Sequence, residues 1–381
     1  MELDLTSDQE FFAQTTARFL EDKANPTALR ALRDDPAGQS PGYWHQGAEL
    51  GWTSLLVSEE DGSGSISGGG VADLALVAHQ FGRAAAPGPL LSTNVVAAAL
   101  SRRGSSAQKA EVLPGLLSGD TVATWCWAEP PPNDRLGQVT ATASPADGGY
   151  VLNGRKGPVA AGAQADHLLV IAVTERGPVQ LLVPARTEGI TVIPAKTLDL
   201  TQRYAEIHFD DVVVPKTSQI GDESTVVGDI ERQLQLANVI QTNEMVGAMD
   251  KAFEITMEWM FDRYSFGRPL ASYQELKHRC ADMKTWIEVA HGITDAATRH
   301  VQEESDRAGE YTSSAKAYLG VYGIEVLQDC VQMHGGIGVT FEHDLHLSLR
   351  RVVVDSLLFG TVSDHHQRLT TLLEHQEETN A

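Results

Sequence analysis

Two arginines and a phenylalanine fall within one short stretch: Arg263, Phe266 and Arg268. Guanidinium groups bind phosphates bidentately, and an aromatic ring gives a flat group a surface to lie on. The triplet therefore suits an anionic, partly aromatic ligand. On spacing alone the plainer reading is a solvated loop whose arginines pair with nearby carboxylates. The surrounding elements give the triplet a place. No proline falls between Pro215 and Pro269, and Leu236, Ile240, Val246, Met249, Phe253, Met257 and Met260 recur at helical spacing. That pattern predicts a long helix burying one face. The helix must stop near Arg263, because Ser265, Gly267 and Pro269 interrupt it and Pro269 keeps Arg268 out of helical geometry. A second helix starts near Ser272, so the triplet sits at the corner of a helical hairpin.

The rest of the chain divides by texture. Its 381 residues leave room for roughly two or three domains. Residues 1–119 read as helical. A first helix could be capped by Thr6-Ser7-Asp8 with Glu10, and Phe11, Phe12, Thr15, Phe19 and Leu20 form its face. A helix near Tyr43 to Leu50 stops at Gly51. The Gly-rich run from Asp61 to Gly70, Ser63 included, lacks the lysine and hydroxyl of a phosphate-cradling P-loop and reads as a flexible loop. Pro26, Pro36 and Pro41 punctuate the early helices. Residues 120–225 alternate short β-rich runs with turns such as Asp147-Gly148-Gly149 and Asn153-Gly154, which suggests a small antiparallel barrel or sandwich. Residues 226–381 read as a bundle of four or so long helices, with a frayed tail from Glu374 to Ala381.

Composition narrows the function. A formal charge of -22 argues against nucleic acid and anionic membranes as partners, but allows a local basic pocket. Cys126, Cys280 and Cys330 are too scattered for a disulfide framework or zinc site, which fits a reducing cytoplasm. No apolar run reaches membrane-spanning length, and the acidic start MELDLTSDQE is no signal peptide. His343, His346, His365 and His366 lack a carboxylate to complete a metal-ligand pattern, so no metal is expected.

Two motifs together resemble the acyl-CoA dehydrogenase family. The first runs from Arg263 through Phe266-Gly267-Arg268-Pro269 and Gln274 to His278, Ala281-Asp282-Met283. The second is Gln332-Met333-His334-Gly335-Gly336-Ile337-Gly338-Val339-Thr340, followed by Glu342 and Arg350-Arg351. The resemblance covers nearly the whole chain. It implies an α+β fold: an N-terminal helical domain, a middle β-domain that covers one face of a flavin ring, and a C-terminal four-helix bundle. It implies FAD as cofactor and an acyl-CoA thioester as substrate, with an electron-transferring flavoprotein as electron acceptor. Carried over residue by residue, Arg263 meets the flavin pyrophosphate, Phe266 and Gln274 lie nearby, and Gln332, Gly335 and Gly336 contact the adenosine half, in relatives from a neighbouring subunit. Thr361 matches a flavin-contacting threonine.

Several positions depart from the family pattern. The usual Thr-Glu-Pro is Ala128-Glu129-Pro130 here, and the Trp-containing stretch after the lysine is Pro158-Val159-Ala160, after Lys156. Both changes remove a hydroxyl that contacts the flavin in relatives. The family base is a desolvated carboxylate that takes the α-proton. Its commonest position is Phe359 here and its second is Ala237, and neither can accept a proton. Glu244, two turns after Ala237 among Ile240, Met245 and Val246, is the remaining candidate base, or else the partner of an arginine on a neighbouring helix. Asp355 is a weaker candidate. The departures resemble α2β2 dehydrogenases of steroid side-chain CoA thioesters, in which unlike subunits share flavin sites. The expectation is therefore one subunit of such an enzyme. The alternatives are its non-catalytic partner, which completes the flavin site of a catalytic homologue, or a flavin monooxygenase of the same fold.

Overall fold

The computed structural model describes residues 5–380, apart from 41 and 63. The turn positions Pro41 and Ser63, and the first residues of the acidic N-terminus, therefore lie outside the described residues. Six helices come first: α1 Ser7–Lys23, α2 Pro26–Ala31, α3 Tyr43–Glu49, α4 Gly70–Ala84, α5 Leu90–Arg103 and α6 Ser106–Ser118. Thr6 caps α1 in a reciprocal box with Gln9 rather than with Glu10. The buried stripe of α1 is Gln9, Phe12, Thr16 and Leu20. Phe11, expected on that face, is 70% exposed, because a four-residue repeat through Phe12 turns the neighbouring position outward.

Seven strands follow: β1 Ala123–Cys126, β2 Thr142–Ala146, β3 Gly149–Ala160, β4 His167–Thr174, β5 Gly177–Pro184, β6 Ile190–Ala195 and β7 Tyr204–Pro215. They form one sheet in the order β1-β4-β2-β3-β7-β6, with β5 also paired to β4. The sheet is mixed rather than purely antiparallel: β1 runs parallel to β4 from the Ala123–His167 pair onward, and β2 meets β4 in parallel at Thr142–Val173. Both strands reach β4 after long connections, which a parallel pairing requires and a hairpin does not. Glu129 pins the segment between β1 and β2. It accepts hydrogen bonds from the Thr140 and Ala141 amides and pairs with the fully buried Lys156 at 2.8 Å.

The remaining helices are α7 Val226–Asp262, α8 Gln274–Gln302, α9 Ala308–His334, α10 Leu345–Asp355 and α11 Val362–Asn380. The segment expected to fray continues α11 as far as Asn380. These helices bury a core of Met245, Met249, Ile287, Leu319, Leu327 and Val352 among others. Helix α4 also lies along α7, and two glycines set their distance. A Cβ on Gly82 would fall 1.8 Å from the Glu244 carbonyl oxygen, and one on Gly247 would fall 2.0 Å from that of His79. A second core joins the first helices, the start of α7 and the indoles of Trp125 and Trp127. A third fills the sheet.

Candidate active site

The two sequence motifs meet in space. Arg263 ends α7, and its guanidinium lies 5.6 Å from the centroid of the Trp259 ring. Trp259 in turn stacks on His334, the last residue of α9, at 5.2 Å. Gly335 and Gly336 follow directly, with Gly335 at φ +64, and among the described residues an added Cβ on either would meet nothing within 4 Å. Arg263, Gln332, Gly335 and Gly336 are all exposed, and Trp259 and His334 lie between Arg263 and the Gly335 turn. Arg263 has no salt-bridge partner among the described residues. An exposed guanidinium with no acidic partner and a bare backbone turn are both groups that a phosphate can approach closely. The corner of the hairpin projects further. Tyr264–Ser265 pairs with Arg268–Pro269, and Phe266 at its tip is 97% exposed with φ +51. Arg268 covers the Tyr273 ring at 3.9 Å, and Gln274 opens α8 with its side chain on His278.

Glu244 lies elsewhere, in the interior. Arg351 on α10 donates to its Oε2 at 3.0 Å, and also to Asp199 Oδ2 at 2.5 Å, Thr201 Oγ1 at 2.6 Å and the Ala86 carbonyl at 2.9 Å. Burial pushes the Glu244 carboxyl up to about 7, against the pull of Arg351. Arg351 is fully buried. Sequence reading left it unassigned, although it falls in register with the buried positions Leu347, Ser348, Val352 and Asp355 of α10, which is the signal that marks it. Asp355 is buried as well, and desolvation, with Glu244 nearby, raises its carboxyl well above the usual range. Next to it Lys316 on α9 donates to Gln241 Oε1 at 2.8 Å and to the carbonyls of Asp355 and Leu358 at 2.5 and 2.8 Å. Those bonds fix the turn that carries Phe359.

Phe359 itself has φ +56 and lies 5.5 Å from Trp125 and 6.3 Å from Trp127, ring centre to ring centre, while the two indoles stack at 5.1 Å. The space between the end of β1 and the turn before α11 is therefore filled by this chain's own rings. Thr361 caps α11, its hydroxyl donating to Asp364 Oδ2 at 2.6 Å. Beside the stack opens a cleft of about 670 Å³, lined by Trp127, Leu136, Ile171, Ile230, Leu234 and Arg368 among others. Its apolar walls with a few charges at the rim suit a long ligand with a polar end.

The residues fit a flavin on one side only. On the outward side Arg263, Gly335 and Gly336 are exposed and leave room for a phosphate-bearing group. On the inner side, Ala128 and Ala160 replace the hydroxyl-bearing residues of the family pattern, next to the packed rings of Trp125, Trp127 and Phe359.

The acyl-CoA dehydrogenase N-terminal domain profile matches residues 6–120 and the acyl-CoA dehydrogenase C-terminal domain profile matches residues 230–368. The chain belongs to the acyl-CoA dehydrogenase family. Among its relatives is acyl-CoA dehydrogenase IpdE2 of Mycolicibacterium smegmatis, 27% identical over 96% of this chain and 98% of that protein. Acryloyl-CoA reductase (NADH) of Anaerotignum propionicum is 25% identical over 96% and 94%. Among solved structures, the ChsE4–ChsE5 complex from Mycobacterium tuberculosis superposes with a TM-score of 0.89 at 23% identity, covering 98% of this chain and 99% of that one. These matches bear out the fold expected from the motifs. No described helix is long and apolar enough to cross a membrane.

Proposed function

We propose that this chain is one subunit of a heteromeric acyl-CoA dehydrogenase. It lends the outward half of a shared FAD site, and a homologous partner chain supplies the catalytic carboxylate. The observation behind this reading is the aromatic stack: Phe359 occupies the family's usual base position and packs on Trp125 and Trp127. Bound FAD supplies the hydride acceptor in this family. The residues of this chain that serve it are Arg263, which would neutralise pyrophosphate charge, Phe266 and Gln274 on the projecting hairpin, and Gln332 with Gly335-Gly336, whose backbone admits close approach. Glu244 serves in this reading as the buried anchor of Arg351, and Thr361 as a helix cap. A solved structure of the same fold, the Tcur3481–Tcur3483 steroid ACAD, supports a bulky, steroid-type acyl-CoA, and the ChsE4–ChsE5 complex supports an unlike partner subunit. Electrons would leave to an electron-transferring flavoprotein, and the compartment would be the cytoplasm. A self-sufficient enzyme is the second reading, favoured by the Glu244 carboxyl, whose affinity for protons is raised toward that of a general base.

A visible absorption spectrum separates the two. Purified alone the chain should be colourless, and co-purified with a homologous acyl-CoA dehydrogenase chain the complex should show flavin bands. Arg263→Ala should weaken flavin retention by the complex about tenfold or more, the worth of a charge-assisted hydrogen bond, and leave the melting temperature of the lone chain unchanged. A yellow lone chain that turns over acyl-CoA, and loses α-proton exchange in Glu244→Gln, would overturn the proposal in favour of the second reading.

A further inference from the structure

Where α4 and α7 touch at their glycines, a cluster that the flavin chemistry does not use lies on the outer side. His79 on α4 and His291 on α8 both direct Nε2 at the carboxylate of Asp250 on α7. His79 Nε2 lies 2.8 Å from Oδ2 and His291 Nε2 lies 3.1 Å from Oδ1. One ligand atom from each residue lies within 4.8 Å of the other two. All three side chains are partly accessible, at 22, 16 and 37%. We propose that His79, Asp250 and His291 form a divalent transition-metal site, zinc by its ligand chemistry, that clips α4 to α7 and α8.

The donor set supports this assignment. Two imidazoles and one carboxylate match the ligands zinc takes, with bonds of about 2.0–2.2 Å, and partial exposure leaves a fourth position for water. Placing an ion of that size among the three atoms needs only rotamer-scale movement of exposed ends. The ring orientation has support behind it. His79 Nδ1 faces the Gln80 side-chain amide at 3.2 Å. Turned over, that amide presents its oxygen to an Nδ1–H and leaves Nε2 free to ligate. Asp295 stands one turn beyond His291 on α8, half-buried, and both imidazoles act on its carboxyl. It is placed to accept from a metal-bound water. Each ligand comes from a different helix, so binding favours only the assembled state. The cluster escaped sequence reading because its members are separated by 171 and 41 positions, with no short motif to join them.

The test uses the full chain, stripped with chelator and dialysed against Zn²⁺ or Co²⁺. About one equivalent should be retained per chain, and Co²⁺ should give visible ligand-field bands that Zn²⁺ abolishes. Zinc at a hundredfold excess over its Kd should raise the melting temperature by about 3 °C. His79→Gln and His291→Gln keep a hydrogen-bonding group towards Asp250 but remove an imidazole. Their retained metal should fall more than about tenfold, with far-UV circular dichroism unchanged. Metal retention and melting shifts equal in parent and variants would mean only adventitious binding to an acidic surface. No retention at all would mean a plain His–Asp–His hydrogen-bonded cluster. Either result overturns the site. If the variants misfold, the same Co²⁺ spectrum on Asp295→Asn, one step removed from the ligands, still decides. Bands that shift place the ion at the cluster, and unaltered bands place it elsewhere.

Discussion

At the scale of single residues, Glu244 carries two properties that pull against each other. Arg351 donates a hydrogen bond to it, which favours the carboxylate, while complete burial favours the acid and holds its pKa up to about 7. The group therefore binds a proton more tightly folded than unfolded, where a glutamate titrates near its ordinary 4.5. Its contribution to stability is full below the unfolded value and is lost as pH rises through about 7. Denaturation midpoints should thus fall as pH rises from about 5 to about 7 and level off above that. Glu244→Gln, which cannot ionise, should flatten that slope. A variant with the same slope as the parent would show that the titrating group is another, with buried Asp355 the next to test.

At the scale of elements, the α4–α7 contact is decided by the absence of two side chains. An alanine normally improves a helix by up to about 1 kcal/mol over glycine. At Gly247 the new Cβ would sit 2.0 Å from the His79 carbonyl oxygen and 3.0 Å from the Arg83 amide, both backbone, so the helices must separate. Gly247→Ala should therefore cost roughly 1–3 kcal/mol in chemical denaturation. Gly228→Ala on the same helix meets nothing within 4 Å and should be neutral or stabilising. Equal effects at the two positions would refute the close crossing. Much of this scale could be read in the sequence. The apolar period from Leu236 to Met260 predicted α7, Pro269 predicted its corner, and the β-rich texture of residues 120–225 matches the stretch that holds the strands of the sheet. The parallel pairing of β1 could not be read, because the alternation of a strand carries no information about its neighbour's direction. Nor could the face of α1 that Phe11 occupies, since two adjacent phenylalanines offer the same local signal.

At the scale of the whole molecule, one side chain joins the three regions of the chain. Arg351 belongs to the C-terminal helices, reaches Asp199 and Thr201 after β6, and bonds the carbonyls of Ala85 and Ala86 at the end of α4. Its partners lie 107 to 266 positions away. For that reason the motif containing Arg350-Arg351 could be noticed in the sequence while its function could not. A buried arginine of this kind is worth little net stability against an apolar replacement of both partners, but removing it alone leaves carboxylates unpaired in the interior. Arg351→Leu should cost roughly 3–5 kcal/mol by that argument. The form of the loss is the sharper expectation. With the shared guanidinium gone, the sheet keeps its own core and the helices keep theirs, so calorimetry should show one transition for the parent and two for the variant. Arg351→Lys retains the charge and loses the fork that spans Asp199 and Glu244, and should split the transition less. One transition at lower temperature in both variants would mean that the apolar contacts around Trp125 and α7, rather than Arg351, make the three regions fold as one.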